Sequence, residues 1–344
     1  MTKRRTLLGL MGGAAITAIA AGSTMAADAN LKMHGFLPLG ATIPAKIVQP
    51  WIDQVEANSN GSIEIEHFGT MALGGTPPEL FDQVVDGITD ISWTVIGYTP
   101  GRFPSTEVME LPFMVDDARA ASSALWNLTE SQLMDSEFKD VKVLGTWVHG
   151  PGMFHTADPI EEPADLEGMK IRGGSRMVNQ LLEAAGATPV GMPVPALPEA
   201  LSKGVVDGTT IPWEVTGTLK VPELVENHTE FDGPALYVLS FVMSMNLDSW
   251  NSLTAEQQAA IDAASGHDFS VFAGGTQEDA DAPARAMAED LGNNIITVSE
   301  EDAAKWRAAV APIVDGWKAE MADKGIDGQA LIDTVQASMA AYGN

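Results

Sequence analysis

What most narrows the fold of this chain is an alternation of strand and helix patterns that starts near residue 31 and repeats. Residues 31–36 (LKMHGF) alternate as a strand. Residues 43–58 then carry Ile47, Trp51 and Val55 at helical spacing, and 62–68 (SIEIEHF) alternate again after the Asn60-Gly61 turn. A loop with Gly74-Gly75 leads to a helix over 78–86, closed by Gly87, and to a strand over 90–94. Such spacing predicts parallel α/β layers. After a Pro-rich interruption at 100–112 the pattern predicts a helix over 117–133 and a strand over 141–148. A second α/β unit begins beyond Gly150-Pro151-Gly152, with a strand at 171–172, a helix over 176–185, a strand over 188–192, a short helix over 198–202 and a strand over 236–246. The remainder reads as mostly helical. Thr254-Ala255-Glu256-Gln257 is a capping box that opens a long helix to about residue 289, with a break expected at Gly274-Gly275, and Ser299 opens another. A boundary at Gly150, with helices at the end able to pack on either half, predicts two lobes that exchange segments and a ligand held between them at strand ends.

Composition removes several classes of function. The 344 residues hold no cysteine, so a disulfide scaffold, a thiolate metal site and a cysteine nucleophile are excluded. Acids number 47 against 19 bases, which argues against nucleic acid as a partner. Lys3-Arg4-Arg5, an uncharged stretch rich in Leu, Ala, Gly and Ile, and small residues at Thr24 and Ala26 have the layout of a cleaved export signal over 1–26. Arg4-Arg5-Thr6-Leu7-Leu8 also fits a twin-arginine signal. Removing that segment takes away three bases and no acids, leaving a net charge of −31. No apolar run of 18 residues follows it, so the mature chain is expected in the periplasm and not embedded in a membrane.

Chemistry concentrates around residues 166–176, where Lys170, Arg172 and Arg176 stand in a chain otherwise hostile to anions. Strand, Gly-Gly-Ser and helix follow one another there, so backbone N–H groups and a helix start lie beside Arg172, whose planar fork matches a carboxylate. A surface loop whose cations balance neighbouring acids is the alternative. Trp93, Trp147 and Trp213 fall at or just beyond strand ends, where a ring can stack on a ligand, although core packing is the default. The six histidines lack metal-binding spacing, and no nucleophile elbow, phosphate loop or dinucleotide fingerprint occurs, so neither metal nor cofactor is expected.

Three ordered runs carry a resemblance: LEGMKIRGGS at 166–175, GATPVGMP at 186–193 and EALSKGVVDGTTIP at 199–212. With NLDSWNSL at 246–253 they resemble the solute-binding proteins of TRAP transporters, the tripartite ATP-independent periplasmic systems of C4-dicarboxylate type. The resemblance covers essentially the whole mature chain. It implies an α/β, two-lobed periplasmic-binding-protein clamshell with a long helix spanning both lobes, residues 27–149 plus about 238–275 forming lobe I and 150–237 plus about 276–344 forming lobe II with the C-terminal helices. It implies a monomer that captures a small organic acid without catalysis and delivers it to the membrane permease subunits. Arg172 matches the arginine that pairs with the ligand carboxylate, Trp93 and Thr94 match a cleft-facing loop, Ser175 a ligand hydrogen-bonding position, and Val194 a frequent aromatic contact. A cation bridges the carboxylate in some relatives, and that point is left open.

Departures from the family pattern shape the ligand expectation. Gly150-Pro151-Gly152 stands where many relatives have a second arginine, and Thr209-Thr210-Ile211 where they have a polar run, followed here by Trp213. A pocket built from Arg172, Trp93, Thr94, Trp147, Gly152, Ser175, Val194, Ile211 and Trp213 suits a monocarboxylate with an apolar or aromatic body. His34, His149 or His155 is available as a replacement cation, in which case a dicarboxylate or sugar acid becomes the alternative. A hydrolase or lyase using Glu214, His149 and His155 is the rival of another class, and a sensory binding protein is a further one.

Overall fold

The computed structural model describes residues 28–343, so the export-signal reading of residues 1–26 lies outside the described residues. Eleven strands form two sheets. In chain order they are β1 (Ala29–His34), β2 (Ile63–Phe68), β3 (Ile91–Val95), β4 (Val141–Val148), β5 (Met153–Thr156), β6 (Lys170–Gly173), β7 (Thr188–Gly191), β8 (Gly208–Ile211), β9 (Asn227–Phe231), β10 (Ser240–Asn246) and β11 (Asn294–Val298). The first sheet has the order β2-β1-β3-β10-β4 and the second β11-β9-β5-β8-β6-β7. β1, β2 and β3 pair in parallel, as alternation with helices requires, because each parallel neighbour needs a crossover. β10 inserts antiparallel between β3 and β4, which makes the sheet mixed.

Before its last helix the chain crosses between the two lobes three times. It leaves the first sheet after β4 and enters the second at β5, and it returns between β9 and β10. The third crossing is helical. His267–Asp279 packs on helix Ala118–Leu128 and on β4, whereas Asp281–Asp290 packs on helix Trp213–Leu219 beside the second sheet. The two helices meet at Ala280, which keeps a right-handed helical conformation (φ −83°, ψ −8°). The helix Gly328–Ala341 then comes back to pack on Ala118–Leu128.

Several local expectations change. The helix opened by Thr254 ends at Asp262, a separate helix spans the lobes from His267, and its break does not fall at Gly274-Gly275 but at Ala280. Pro283 is the physical reason: it has no N–H to give the Asp279 carbonyl, so the ladder is interrupted one turn before it. The two glycines are in mid-helix for packing. A Cβ on Gly274 would lie 2.1 Å from Ser122 Oγ and 2.8 Å from the Ala118 carbonyl oxygen. The strand expected over 236–246 begins only at Ser240, and residues 236–239 form the second crossing. β5, β8, β9 and β11 have no counterpart in the sequence reading, nor does helix Trp213–Leu219. β5 and β8 are four residues long and buried on both faces, so they show no alternation.

Gly274→Ala should therefore destabilise the protein by about 1–3 kcal/mol, the usual cost of overpacking, although alanine is the better helix former. Ser122 Oγ also accepts the Val148 N–H at 3.1 Å, so displacing it loosens the end of β4 as well. A raised midpoint in urea unfolding would contradict this account of the helix contact.

Candidate functional site

Arg172 stands on β6, one residue from its end, and is 1% exposed. Its Nε donates to the Met192 carbonyl at 2.9 Å and Nη1 reaches the Thr210 carbonyl at 3.4 Å, both just beyond or within neighbouring strands. Its Nη2 is buried with no hydrogen-bond partner, and among the described residues no carboxylate pairs with the guanidinium. An ionised group held in this way is costly unless an anion reaches it.

The Arg172 side chain lines a tight cavity of about 40 Å³ between the sheets. All three crossings contribute walls. His149 comes from the first, Tyr237 and Leu239 from the second, and Gln277 from the third. Phe36, Val95, Val194, Ile211 and Phe241 make most of the remainder apolar, with Tyr98 and Glu214 as the other polar groups. Tyr98 Oη accepts the Val194 N–H at 3.0 Å. Burial raises the pKa of both Tyr98 and Tyr237 although the Arg172 charge opposes the shift, so both remain phenols.

His149 does not add a second cation. The Leu239 N–H donates to its Nε2 at 3.1 Å, so the ring proton sits on Nδ1 and goes to the Gly150 carbonyl. Burial, with the Arg172 charge nearby, lowers its pKa to about 4. Among the described residues Arg172 is thus the sole cationic group in the cavity wall.

Of the residues singled out from sequence, Arg172, Val194 and Ile211 come together in this wall, along with His149 and Glu214. Trp93 is in the middle of β3, fully buried against Gly35 and Phe36, and the Thr94 hydroxyl faces the Pro77 carbonyl at 3.4 Å. Trp147 lies one layer back, stacked on Phe241 with centroids 5.3 Å apart, its Nε1 donating to Gln277 Oε1 at 2.6 Å. Trp213 packs with Met153, Ala284 and Ala288 and donates to Glu230 at 3.2 Å. Gly152 lies under the Tyr237 ring, where a Cβ would come within 2.3 Å of it. His34 is held by Gln83 at 2.7 Å, and His155 by His228 at 2.7 Å and the Ile211 carbonyl at 3.2 Å; burial lowers the pKa of both.

Ser175 and Arg176 hold the lobes together. The Ser175 hydroxyl caps helix Arg176–Ala184 and donates to Glu110 at 2.5 Å, while Arg176 grips Glu107 and, at 2.7 Å, Glu320. Lys170 is exposed at the far end of β6. The cluster of three cations seen in the sequence therefore resolves into one arginine that lines the cavity, one interlobe ion pair and one exposed lysine. Sequence reasoning missed Tyr98 and Tyr237, although they are two of only three tyrosines in the chain, and it missed Gln277.

Residues 41–321 match the family described as bacterial extracellular solute-binding protein, family 7 (DctP). The chain belongs to this family. Similar solved structures include a TRAP solute-binding protein from Rhodoferax ferrireducens T118 in complex with copurified benzoate. It is 42% identical, covers 90% of this chain and 97% of its own, and has a TM-score of 0.89. A marine metagenome TRAP solute-binding protein specific for aromatic acid ligands, in complex with metahydroxyphenylacetate, is 43% identical over 92% of this chain and all of that one, also at 0.89. A third, from Bordetella bronchiseptica with bound (R)- and (S)-mandelate, is 30% identical over 90% and 98% of the two chains, at 0.84. This family 7 member is the periplasmic solute-binding protein of a TRAP transporter, a class that binds small organic acids and delivers them to a membrane permease. Its fold is the two-lobed α/β clamshell that the resemblance implies.

Glu110 gives this family 7 protein a testable pH response. Burial pushes its pKa up to about 8, against the Ser175 hydrogen bond. An unfolded glutamate titrates near 4.3, so the native protein holds a proton that the unfolded chain has lost. Stability from this group is complete below about pH 4.3 and is lost as pH rises towards 8. Glu110→Gln keeps an acceptor for Ser175 without the titration. Its stability relative to the parent chain should rise by about 2 kcal/mol or more from pH 5 to pH 8, measured by urea unfolding. Identical pH profiles for the two chains would refute this role for Glu110.

Proposed function

We propose that this TRAP solute-binding protein captures a small monocarboxylate with an aromatic or otherwise apolar body, and that it does so without chemistry. One observation carries the reading: a fully buried guanidinium with an unpartnered Nη2 faces an otherwise neutral, largely apolar cavity. One carboxylate satisfies that cation. A second would be buried without a counter-charge, at a cost of several kcal/mol, which disfavours dicarboxylates and acidic sugars. The benzoate, hydroxyphenylacetate and mandelate held by the relatives are all monocarboxylates on an aromatic ring, and this agrees with the reading.

Arg172 would form the ion pair, and the apolar walls and the faces of Phe36, Tyr98, Tyr237 and Phe241 would enclose the body. Expelling water as the lobes close strengthens the pair, so ligand favours the closed form by its differential affinity. The binding-only reading is supported by the state of the candidate base: both ring nitrogens of His149 are engaged by backbone, leaving none for proton abstraction. Ser175 lies outside the cavity wall and is committed to Glu110.

Calorimetry with benzoate as the probe tests the assignment. Arg172→Ala should weaken binding by about 2–5 kcal/mol, because it removes one partner of a buried charged pair, and Arg172→Lys should not restore it. Unchanged affinity in the alanine variant rejects Arg172 as the anchor. In a thermal-shift screen, aromatic monocarboxylates should stabilise the protein more than succinate or malate and be recovered unaltered. The opposite ranking overturns the ligand class, and conversion of the ligand overturns the binding-only reading.

A further inference from the structure

The cavity has two polar ends of different character. At one end Arg172 acts electrically on Tyr98, His149 and Tyr237. At the other, Glu214, the second residue of helix Trp213–Leu219, answers electrically to a separate set of groups: Gln277, Thr42 and the Lys46 charge. Glu214 is 6% exposed and lines the cavity together with Gln277.

Both groups are held in place. The Glu214 N–H donates to Asp281 Oδ1 at 2.7 Å, tying the helix start to the third crossing. The Trp147 Nε1–H takes the Gln277 oxygen at 2.6 Å, which turns the amide so that its NH₂ is the end left for Glu214 and the cavity. Trp147 is in turn fixed by its stack on Phe241. Burial pushes the Glu214 pKa up to about 7, so a large share of the molecules carry a carboxylic acid at this end. An acid beside an amide NH₂ offers one donor set and one acceptor set in a space otherwise walled by hydrocarbon.

We infer that Glu214 and Gln277 form a second recognition point, selective for a hydroxyl group on the ligand ring remote from its carboxylate. This rests on the proposed aromatic monocarboxylate reading and deepens it. A phenolic O–H both donates and accepts, so it can give its proton to the Glu214 carbonyl oxygen while its own oxygen takes an N–H from Gln277 or the O–H of Glu214. A ring C–H at the same place leaves these buried groups without the partner, which costs affinity. A second carboxylate there meets another acid, and the one cation acting on that end, Lys46, is exposed and outside the cavity wall, so it is disfavoured. The same pair thus favours one substituent and excludes another.

Calorimetry at pH 7 with benzoate, 3-hydroxybenzoate, 4-hydroxybenzoate and isophthalate decides the matter. At least one of the two hydroxybenzoates should bind the unmodified protein about ten- to a hundredfold more tightly than benzoate, and isophthalate more weakly. Glu214→Leu should erase the hydroxyl preference, read as the ratio of hydroxybenzoate to benzoate affinity within the variant, with a cooperative thermal unfolding transition as the check on folding; Glu214→Gln should keep most of the preference. A hydroxybenzoate-to-benzoate ratio near one in the unmodified protein overturns the inference without any variant. So does a preference that persists in Glu214→Leu, or isophthalate binding more tightly than benzoate. Failure of all four to bind overturns the aromatic monocarboxylate reading beneath it instead.

Discussion

The arrangement of this protein turns on one buried charge. Arg172 cannot be neutralised by losing its proton, since a guanidinium stays charged at any accessible pH. It is fixed on β6 by two carbonyl oxygens, of Met192 just beyond β7 and of Thr210 on β8, and these leave one nitrogen without a partner. Burial keeps the tyrosines as phenols and His149 neutral, and it holds a proton on Glu214 in a large share of the molecules. Closing the lobes over an empty cavity therefore buries an uncompensated cation. In the proposed reading, closing them over a carboxylate buries a pair instead, and that difference would make closure depend on ligand.

Pocket and hinge share the same residues. His149, Tyr237, Leu239 and Gln277 belong to the three segments that carry the chain between lobes, so anything that reshapes the cavity also acts on the crossings. Gly152 lets the first two approach, because a side chain there would meet the Tyr237 ring. Beyond the cavity the lobes meet through Arg176 with Glu107 and Ser175 with Glu110. These contacts involve no ligand, and they set how far closure is favoured before one arrives. Glu110 matters here because an ionised carboxylate beside Glu107 would oppose the contact, whereas a protonated one accepts the Ser175 hydroxyl without repulsion.

What could be read from the sequence follows physical lines. The parallel strands β1 to β3 and the helices between them are long enough to show their period, and so is β4. β5 and β8 have four residues and are wholly buried, while β9 (NHTEF) and β11 (NIITV) equal β3 in length but lack an apolar–polar alternation, so no period marks any of the four. Arg172 was legible because a cation followed by Gly-Gly-Ser is conspicuous in so acidic a chain. Trp93, Trp147 and Trp213 drew attention as large rings near strand ends, but each ring fits into packing behind the wall, and only Trp147 reaches the site, through Gln277. Tyr98 and Tyr237 sit on connecting segments with no period at all, where a sequence pattern has nothing to register.

The strong negative charge of the chain looks opposed to capturing an anion, and the structure explains why it is not. At physiological ionic strength fields beyond about 8 Å are largely screened, so acids on the outer faces act weakly on a ligand entering the cleft. Inside, the low dielectric strengthens the single Arg172 charge, and burial keeps protons on the acids nearest the lobe contacts, Glu110 and Asp281. Arg176 is already committed to Glu107 and Glu320, so it adds little to the field that a ligand meets. Attraction is thus short-ranged and arises only once water has been displaced. Discrimination between acids must then come from what the closed cavity accepts around that one cation, and hardly at all from the approach.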